Sequence, residues 1–240
     1  MNIALIFAGG TGTRMNSKTT PKQFLPVFGK TIIQYTLECF ENHEKIDAIC
    51  IICIKEWCNF VEELVKKEGF SKVRWIVPGG KTAMESQYIG LQTVSSSCAD
   101  DSIVLLHDGV RPLLGPDLIS SCIQSTQEYG SAITVAPAIE TIIETNDKQE
   151  VTRTIDRNLC SLARAPQCFY LHDILSAHNN ALASGNYTFI DSASLMLSQG
   201  KVLHTVQGPA DNIKITTPID YYIFRAILEA KESSLVFGVN

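Results

Sequence analysis

Residues 3–26 read IALIFAGGTGTRMNSKTTPKQFLP. An apolar run stops at two glycines. Arg14 lies four residues past Gly10, and Lys22 eight past Arg14. Bare backbone amides let a phosphate approach closely, and movable cations on the same loop offset its charge. The pattern is neither the dinucleotide G-x-G-x-x-G nor the P-loop G-x-x-x-x-G-K-[ST]. A nucleoside triphosphate suits it, and so does a glycine-rich turn with solvated basic residues. A second pair, Gly79-Gly80, precedes Lys81 and Ser86. In HDGVRP, Asp108 and Arg111 are three apart. A carboxylate there suits a divalent metal or a substrate hydroxyl, and the Arg suits a phosphate. The same spacing also suits an internal ion pair. His107 reads as a packed histidine. Near the end, ADNIK pairs Asp211 with Lys214, a metal ligand and a phosphate contact by type.

These groups sit where strands are expected to end. Apolar runs at Ile3–Phe7, Ala48–Ile54, Val73–Val77, Ser102–Leu106 and Ala132–Val135 alternate with helical periodicity at Ile32–Phe40, Asn59–Lys67, Thr82–Val94 and Leu118–Tyr129. This rhythm predicts a doubly wound α/β sheet, whose ligands bind beyond the carboxyl ends of the strands. It breaks over residues 138–161, where polar and β-branched residues alternate around Asn146-Asp147-Lys148. That segment is expected to project as a hairpin arm that contacts a second copy. The tail is expected to carry helices at Leu171–Ser184 and Asp191–Gln199 and strands at Val202–Val206 and Ile213–Thr216. A further helix is expected to start at Thr217-Pro218, with Asp220 in its first turn. No repeat or linker divides the 240 residues, so one domain is expected over 1–240.

The chain is 45% hydrophobic and 19% charged, with net charge −5 and pI about 5.5. An acidic chain argues against nucleic acid as a partner. No apolar run approaches a membrane span, and Met1–Phe7 lacks a basic leader region. The eight cysteines are scattered. Cys50 and Cys53 form a C-x-x-C inside a strand-like run, where residues three apart point to opposite faces. Reduced thiols in a cytoplasmic protein are expected.

In combination and order, AGGTGTRM, PKQF, PGG…S, HDGVRP, TIDRN…APQ and DNIKITTP resemble the polyol-phosphate cytidylyltransferases, over nearly the whole chain. The resemblance implies a Rossmann-like fold, a β-arm that interlocks a homodimer, and CTP with Mg²⁺. It implies a cytidine cradle of Ala8, Gly9, Gly10, Gly80 and Ser86. Arg14 and Lys22 would grip the triphosphate, and Lys214 would contact both substrates. Asp108 and Arg111, with Thr141 and Arg157 on the arm of the other subunit, would hold the polyol phosphate. Asp108 and Asp211 would neighbour the metal. Two positions depart from the family pattern: Ala83 stands where an Arg is usual, and Ala165, preceded by Arg164, where a Thr is usual. AGGTGTRM, KEW and NIKITTP are closest to the ribitol branch, which points to ribitol 5-phosphate or glycerol phosphate as acceptor. The alternatives are 2-C-methyl-D-erythritol 4-phosphate, another nucleotidyltransferase chemistry, and a catalytically silent nucleotide-binding protein.

Overall fold

The computed structural model describes residues 1–10 and 20–237. Arg14 lies outside them. After strand β1 (Asn2–Ala8) comes a short separate hairpin, β2 (Pro26–Val27) and β3 (Lys30–Thr31). β1 pairs in parallel with β4 (Ala48–Cys53) on one side and β6 (Ile103–Asp108) on the other. β4 continues in parallel to β5 (Val73–Pro78). The chain thus leaves β1 in one direction and returns on its other side. That reversal opens a crevice at the carboxyl ends of β1 and β6, where open α/β sheets bind ligands.

Alternation along each strand sorts side chains into two layers. Ala4, Ile6, Ile49, Ile51 and Leu105 face helices α1 (Ile32–Glu41), α2 (Cys58–Glu68) and α4 (Pro116–Tyr129). Ile3, Leu5, Ile52, Val104 and Leu106 face α3 (Ala83–Ser95), α5 (Leu171–Ala183) and α6 (Ser192–Ser198). Both faces are covered, which is why β4 reads as an unbroken apolar run. Cys50 and Cys53 fall in opposite layers, and burial pushes each thiol up to about 12.

Local signals set the helix ends. Thr82 caps α3 by accepting from the Glu85 amide at 3.1 Å. Pro116 begins α4, and Gly130, at φ 82°, ends it. In α7 (Pro218–Phe237), one Asp220 oxygen accepts from the amides and hydroxyls of both Thr216 and Thr217, at 2.7–2.9 Å. Those bonds hold its carboxyl below its ordinary range against the opposing effect of burial.

The tail departs from expectation. Ser161–Tyr170 forms β10, a ten-residue strand inserted antiparallel between β6 and β7 (Ser131–Pro137). Its interior Pro166 disguises it, since proline ordinarily marks an edge or a bulge. A bulge is present: β10 advances from Ala163 to Gln167 while β7 advances only from Val135 to Ile133. Residues 213–216 are not a strand. They lie along the loop after β6 through one backbone bond, Ile215 N–H to the Val110 carbonyl at 2.9 Å. The strand expected at Val202–Val206 is β11 (Thr205–Gln207), parallel to β7 at the sheet edge.

The 138–161 segment contains the expected hairpin. β8 (Ile142–Thr145) pairs with β9 (Val151–Ile155) as a separate two-stranded sheet. Its turn is held by Asn146, whose side-chain oxygen accepts from the amides of Lys148 and Glu150, each at 3.0 Å.

Candidate active site

A cleft of about 650 Å³ opens at the sheet reversal, within the range of small-molecule sites. Its first wall is the end of β1. A Cβ placed on Gly9 would come no nearer than 3.9 Å to Ser86 Oγ, and one on Gly10 no nearer than 3.9 Å to Lys22 Cε. Packing among the described residues therefore does not require these glycines. A side chain at either would intrude on the cleft that they line. Gln23 shapes this wall from behind. It is buried, and its Nε2 donates to the carbonyls of Ala8 at 2.6 Å and Gly10 at 3.2 Å. Lys22, also buried, lines the cleft beside it.

The second wall is the loop from β5 into α3. Here glycine is required by close approach: a Cβ on Gly79 would sit 2.9 Å from Ser86 Oγ, and one on Gly80 would overlap the Glu85 side chain. Ser86 Oγ accepts from the Gly80 amide at 3.1 Å and donates to the Thr82 carbonyl at 2.9 Å. The Gly80 N–H is thus satisfied within its own loop.

The third wall carries the charge. Asp108, at the end of β6, receives Arg111 Nε on one oxygen at 2.8 Å and Lys214 Nζ on the other at 2.6 Å. Burial pushes the Asp108 carboxyl up. The two cations outweigh that and hold it at about 2. His107, one residue earlier, is buried and kept neutral, with burial lowering it to about 4. Its Nε2 donates to the Arg111 carbonyl at 3.1 Å. Among the described lining residues, Lys22, Lys81, Arg111, Arg164 and Lys214 face two carboxylates, Asp108 and Asp191. In a chain of net charge −5, this is a focused positive site suited to a polyanion.

Of the residues singled out in the sequence, Ala8, Gly9, Gly10, Lys22, Gly80, Ser86, Asp108, Arg111 and Lys214 line this one cleft. Asp211 is not among its lining. It pairs with Lys231 at 3.5 Å. Thr141 and Arg157 are also outside the lining and exposed. Arg157 Nη1 donates to the Ile139 carbonyl at 2.7 Å within the arm. The sequence reading gave no role to Gln23, Gln167 or Arg164. Gln167 bridges the Asp191 carboxylate, donating at 2.8 Å, and the Ala193 amide, accepting at 2.9 Å. Gln23 and Gln167 stand in the words PKQF and APQ, but their amides act across the fold and leave no local periodicity.

The whole chain resembles known proteins. A family model described as 2-C-methyl-D-erythritol 4-phosphate cytidylyltransferase (IspD) matches residues 2–230. A ribitol-5-phosphate cytidylyltransferase of Streptococcus agalactiae serotype V is 44% identical over 100% of both chains. One of Vibrio parahaemolyticus is 45% identical over 99% of this chain and 100% of its own. A 2-C-methyl-D-erythritol 4-phosphate cytidylyltransferase of Clostridium botulinum is 37% identical over 95% and 97%. The crystal structure of 4-diphosphocytidyl-2C-methyl-D-erythritol synthase from Anaerococcus prevotii superposes with TM-score 0.83 at 26% identity, over 95% and 96% of the two chains. A cleft built for a polyanion at the sheet reversal, on a fold and sequence shared with these enzymes along nearly their full length, makes the chain a member of the IspD cytidylyltransferase family.

Proposed function

We propose that the protein transfers a cytidylyl group from CTP to ribitol 5-phosphate, forming CDP-ribitol and pyrophosphate. The observation that carries this reading is the arrangement around Asp108, with Lys214 and Arg111 on its two oxygens inside a cationic cleft. A phosphate oxygen of the acceptor forms a bond to the α-phosphorus of CTP, and the bond from that phosphorus to the β-phosphate bridge breaks. A phosphate is already anionic at neutral pH, so no protein base is needed. Positioning and charge stabilisation suffice. Gly9 and Gly10 give the nucleotide close access, with Ala8, Gly80 and Ser86 beside them. Lys22, with Arg14, stabilises charge on the transferring phosphate. Asp108 stays ionised and accepts from acceptor hydroxyls while Arg111 and Lys214 face the acceptor phosphate. The full-length identity to ribitol-5-phosphate enzymes, 44% and 45% against 37% to the methylerythritol enzyme, supports ribitol as acceptor.

Mg²⁺ belongs to this reading as an ion carried chiefly by the triphosphate. Such an ion takes one or two carboxylates along with substrate phosphates, and Asp108 is the family-implied carboxylate that lies in the cleft. When bound, it would neutralise phosphoryl charge. The arm serves a second copy. Ile139 and Leu159 are 71% and 86% exposed, and Ile143, Val151 and Leu162 are exposed beside them. A two-stranded ribbon with exposed apolar side chains on it and flanking it is unfinished in one chain. Thr141 and Arg157 would then complete the partner's acceptor site. Eight unpaired cysteines support a cytoplasmic setting, and among the described residues no helix is long and apolar enough to cross a membrane.

The test is pyrophosphate release with CTP, UTP, ATP and GTP against ribitol 5-phosphate, glycerol phosphate and 2-C-methyl-D-erythritol 4-phosphate. Turnover with CTP and ribitol 5-phosphate above all other pairs is expected. Preference for the methylerythritol acceptor would overturn the ribitol assignment. CTP binding without release on any acceptor would make the protein a silent binder.

A further inference from the structure

Arg164 sits in the bulge where β10 leaves its ladder with β7 between Ala163 and Gln167. Bulges re-aim side chains and recur beside active sites. Here the Arg164 guanidinium lines the cleft and is fixed by one nitrogen. Its Nη1 donates to the carbonyls of Pro209 at 3.1 Å, Ala210 at 2.9 Å and Asn212 at 3.0 Å. The Asn212 carbonyl also accepts from Arg111 Nη1 at 2.9 Å, so the two guanidinium groups meet on one oxygen. Asn212 in turn donates from Nδ2 to the Ala165 carbonyl at 2.8 Å, tying the 209–212 segment to β10 next to Arg164.

Two features of this arrangement look toward a ligand. Arg164 has no carboxylate within ion-pair distance among the described residues, whereas Arg111 and Lys214 share Asp108. Two like charges held on one carbonyl repel each other until an anion joins them. In addition, among the described residues Arg164 hydrogen-bonds through Nη1 alone and makes no such bond from Nε or Nη2. A guanidinium anchored by one nitrogen keeps the rest of its planar fork for bidentate contact with a phosphate. The shared Asn212 carbonyl places it beside Arg111, and so among the groups around Asp108 and Lys214.

We propose that Arg164 is a further acceptor-phosphate ligand: three backbone carbonyls fix its Nη1, and its Nε–Nη2 edge takes the phosphate of the polyol phosphate that Arg111 and Lys214 also face. The inference rests on the acceptor reading given above. It assigns Arg164 a charge-dependent role beyond clamping the segment that leads to Lys214.

The test compares Arg164→Lys, Arg164→Gln and Arg164→Ala with the unaltered enzyme in two assays. In steady-state turnover, Ala and Gln should each raise the acceptor KM about tenfold or more. The KM for CTP should stay within about twofold, and Lys should recover a large part of the loss. Gln retains an amide donor for the carbonyls without the charge, so a Gln variant with native acceptor KM would overturn the proposal in favour of a clamp alone. So would a parallel rise in both KM values. In calorimetry, inorganic phosphate is titrated into CTP-saturated enzyme without divalent metal. Binding should weaken about tenfold in Ala and Gln, and unchanged phosphate affinity would overturn the proposal. The second assay needs no turnover. If the unaltered enzyme ignores every polyol phosphate yet binds phosphate through Arg164, the ligand assignment stands and the acceptor reading fails.

Discussion

The cleft and the arm solve opposite problems with the same kinds of residue. In the cleft, several polar groups are held by other parts of the chain before any ligand arrives. Asp108 is held at both oxygens, Gln23 ties the Ala8 and Gly10 carbonyls, and Ser86 joins the Gly80 amide to the Thr82 carbonyl. Asp108 ends β6, whose strand is buried along most of its length, Gln23 sits in a buried 3-10 turn and Ser86 in the first turn of α3, so all three are carried by regular, packed elements. In the arm, the β8–β9 ladder joins two short strands to each other, Arg157 makes an exposed bond to Ile139, and the apolar side chains face outward. The contrast assigns rigidity to the phosphate chemistry and leaves the arm's energetics to whatever covers it. A two-stranded ribbon has no core of its own, and its apolar surface contributes stability only once buried.

The sharpest way to break this comparison is at Lys22. If the cleft acts by pre-positioned charge, Lys22→Ala should lower kcat about 10²-fold or more while CTP affinity weakens less. Single-turnover and steady-state assays with CTP would show this, and near-native turnover would remove Lys22 from the reaction. A second expectation concerns the charge network. Burial raises the Asp108 carboxyl, and Lys214 and Arg111 bring it to about 2, from 3.8 when unperturbed. A depressed carboxyl stabilises the fold above its unfolded value. That contribution is lost as pH falls from about 4 toward 2. The carboxyl is 24% exposed, and the shift corresponds to ~2 kcal/mol. Urea unfolding of the unaltered protein and Asp108→Asn across that window should show a gap that closes with acidification. A gap independent of pH would mean the two cations do not stabilise the ionised form.

The arm should give the smallest effect on the folded chain and a selective one on the reaction. Arg157 makes one exposed bond, so Arg157→Ala should change unfolding stability by under ~0.5 kcal/mol. If the arm completes a neighbouring site, the same variant should raise the acceptor KM strongly and leave CTP binding intact. Mixing Arg157→Ala with Lys22→Ala then sharpens the comparison. Each mixed dimer carries one site with both lesions and one with neither, so after subunit exchange roughly a quarter of native activity should return. No recovery, with exchange confirmed by mass, would confine the arm to its own subunit.

Much of this was legible in the linear chain because it is locally encoded. The unbroken apolar runs of β1, β4 and β6 follow from burial on both faces, and the helical periods between them from burial on one. The glycine pairs and HDGVRP sit at strand ends because a sheet reversal places ligands there. Non-local pairing decided the rest. β10 enters the sheet antiparallel through a bulge at Arg164, and no local pattern announces a partner far along the chain. Asp211 and Lys214 are three apart in sequence, yet Lys214 turns to Asp108 while Asp211 turns to Lys231. The irregular segment that carries them has no fixed side-chain period. Its direction comes from what it packs against, including the Val110 carbonyl, the Ala165 carbonyl, the Arg111 guanidinium and Arg164 Nη1.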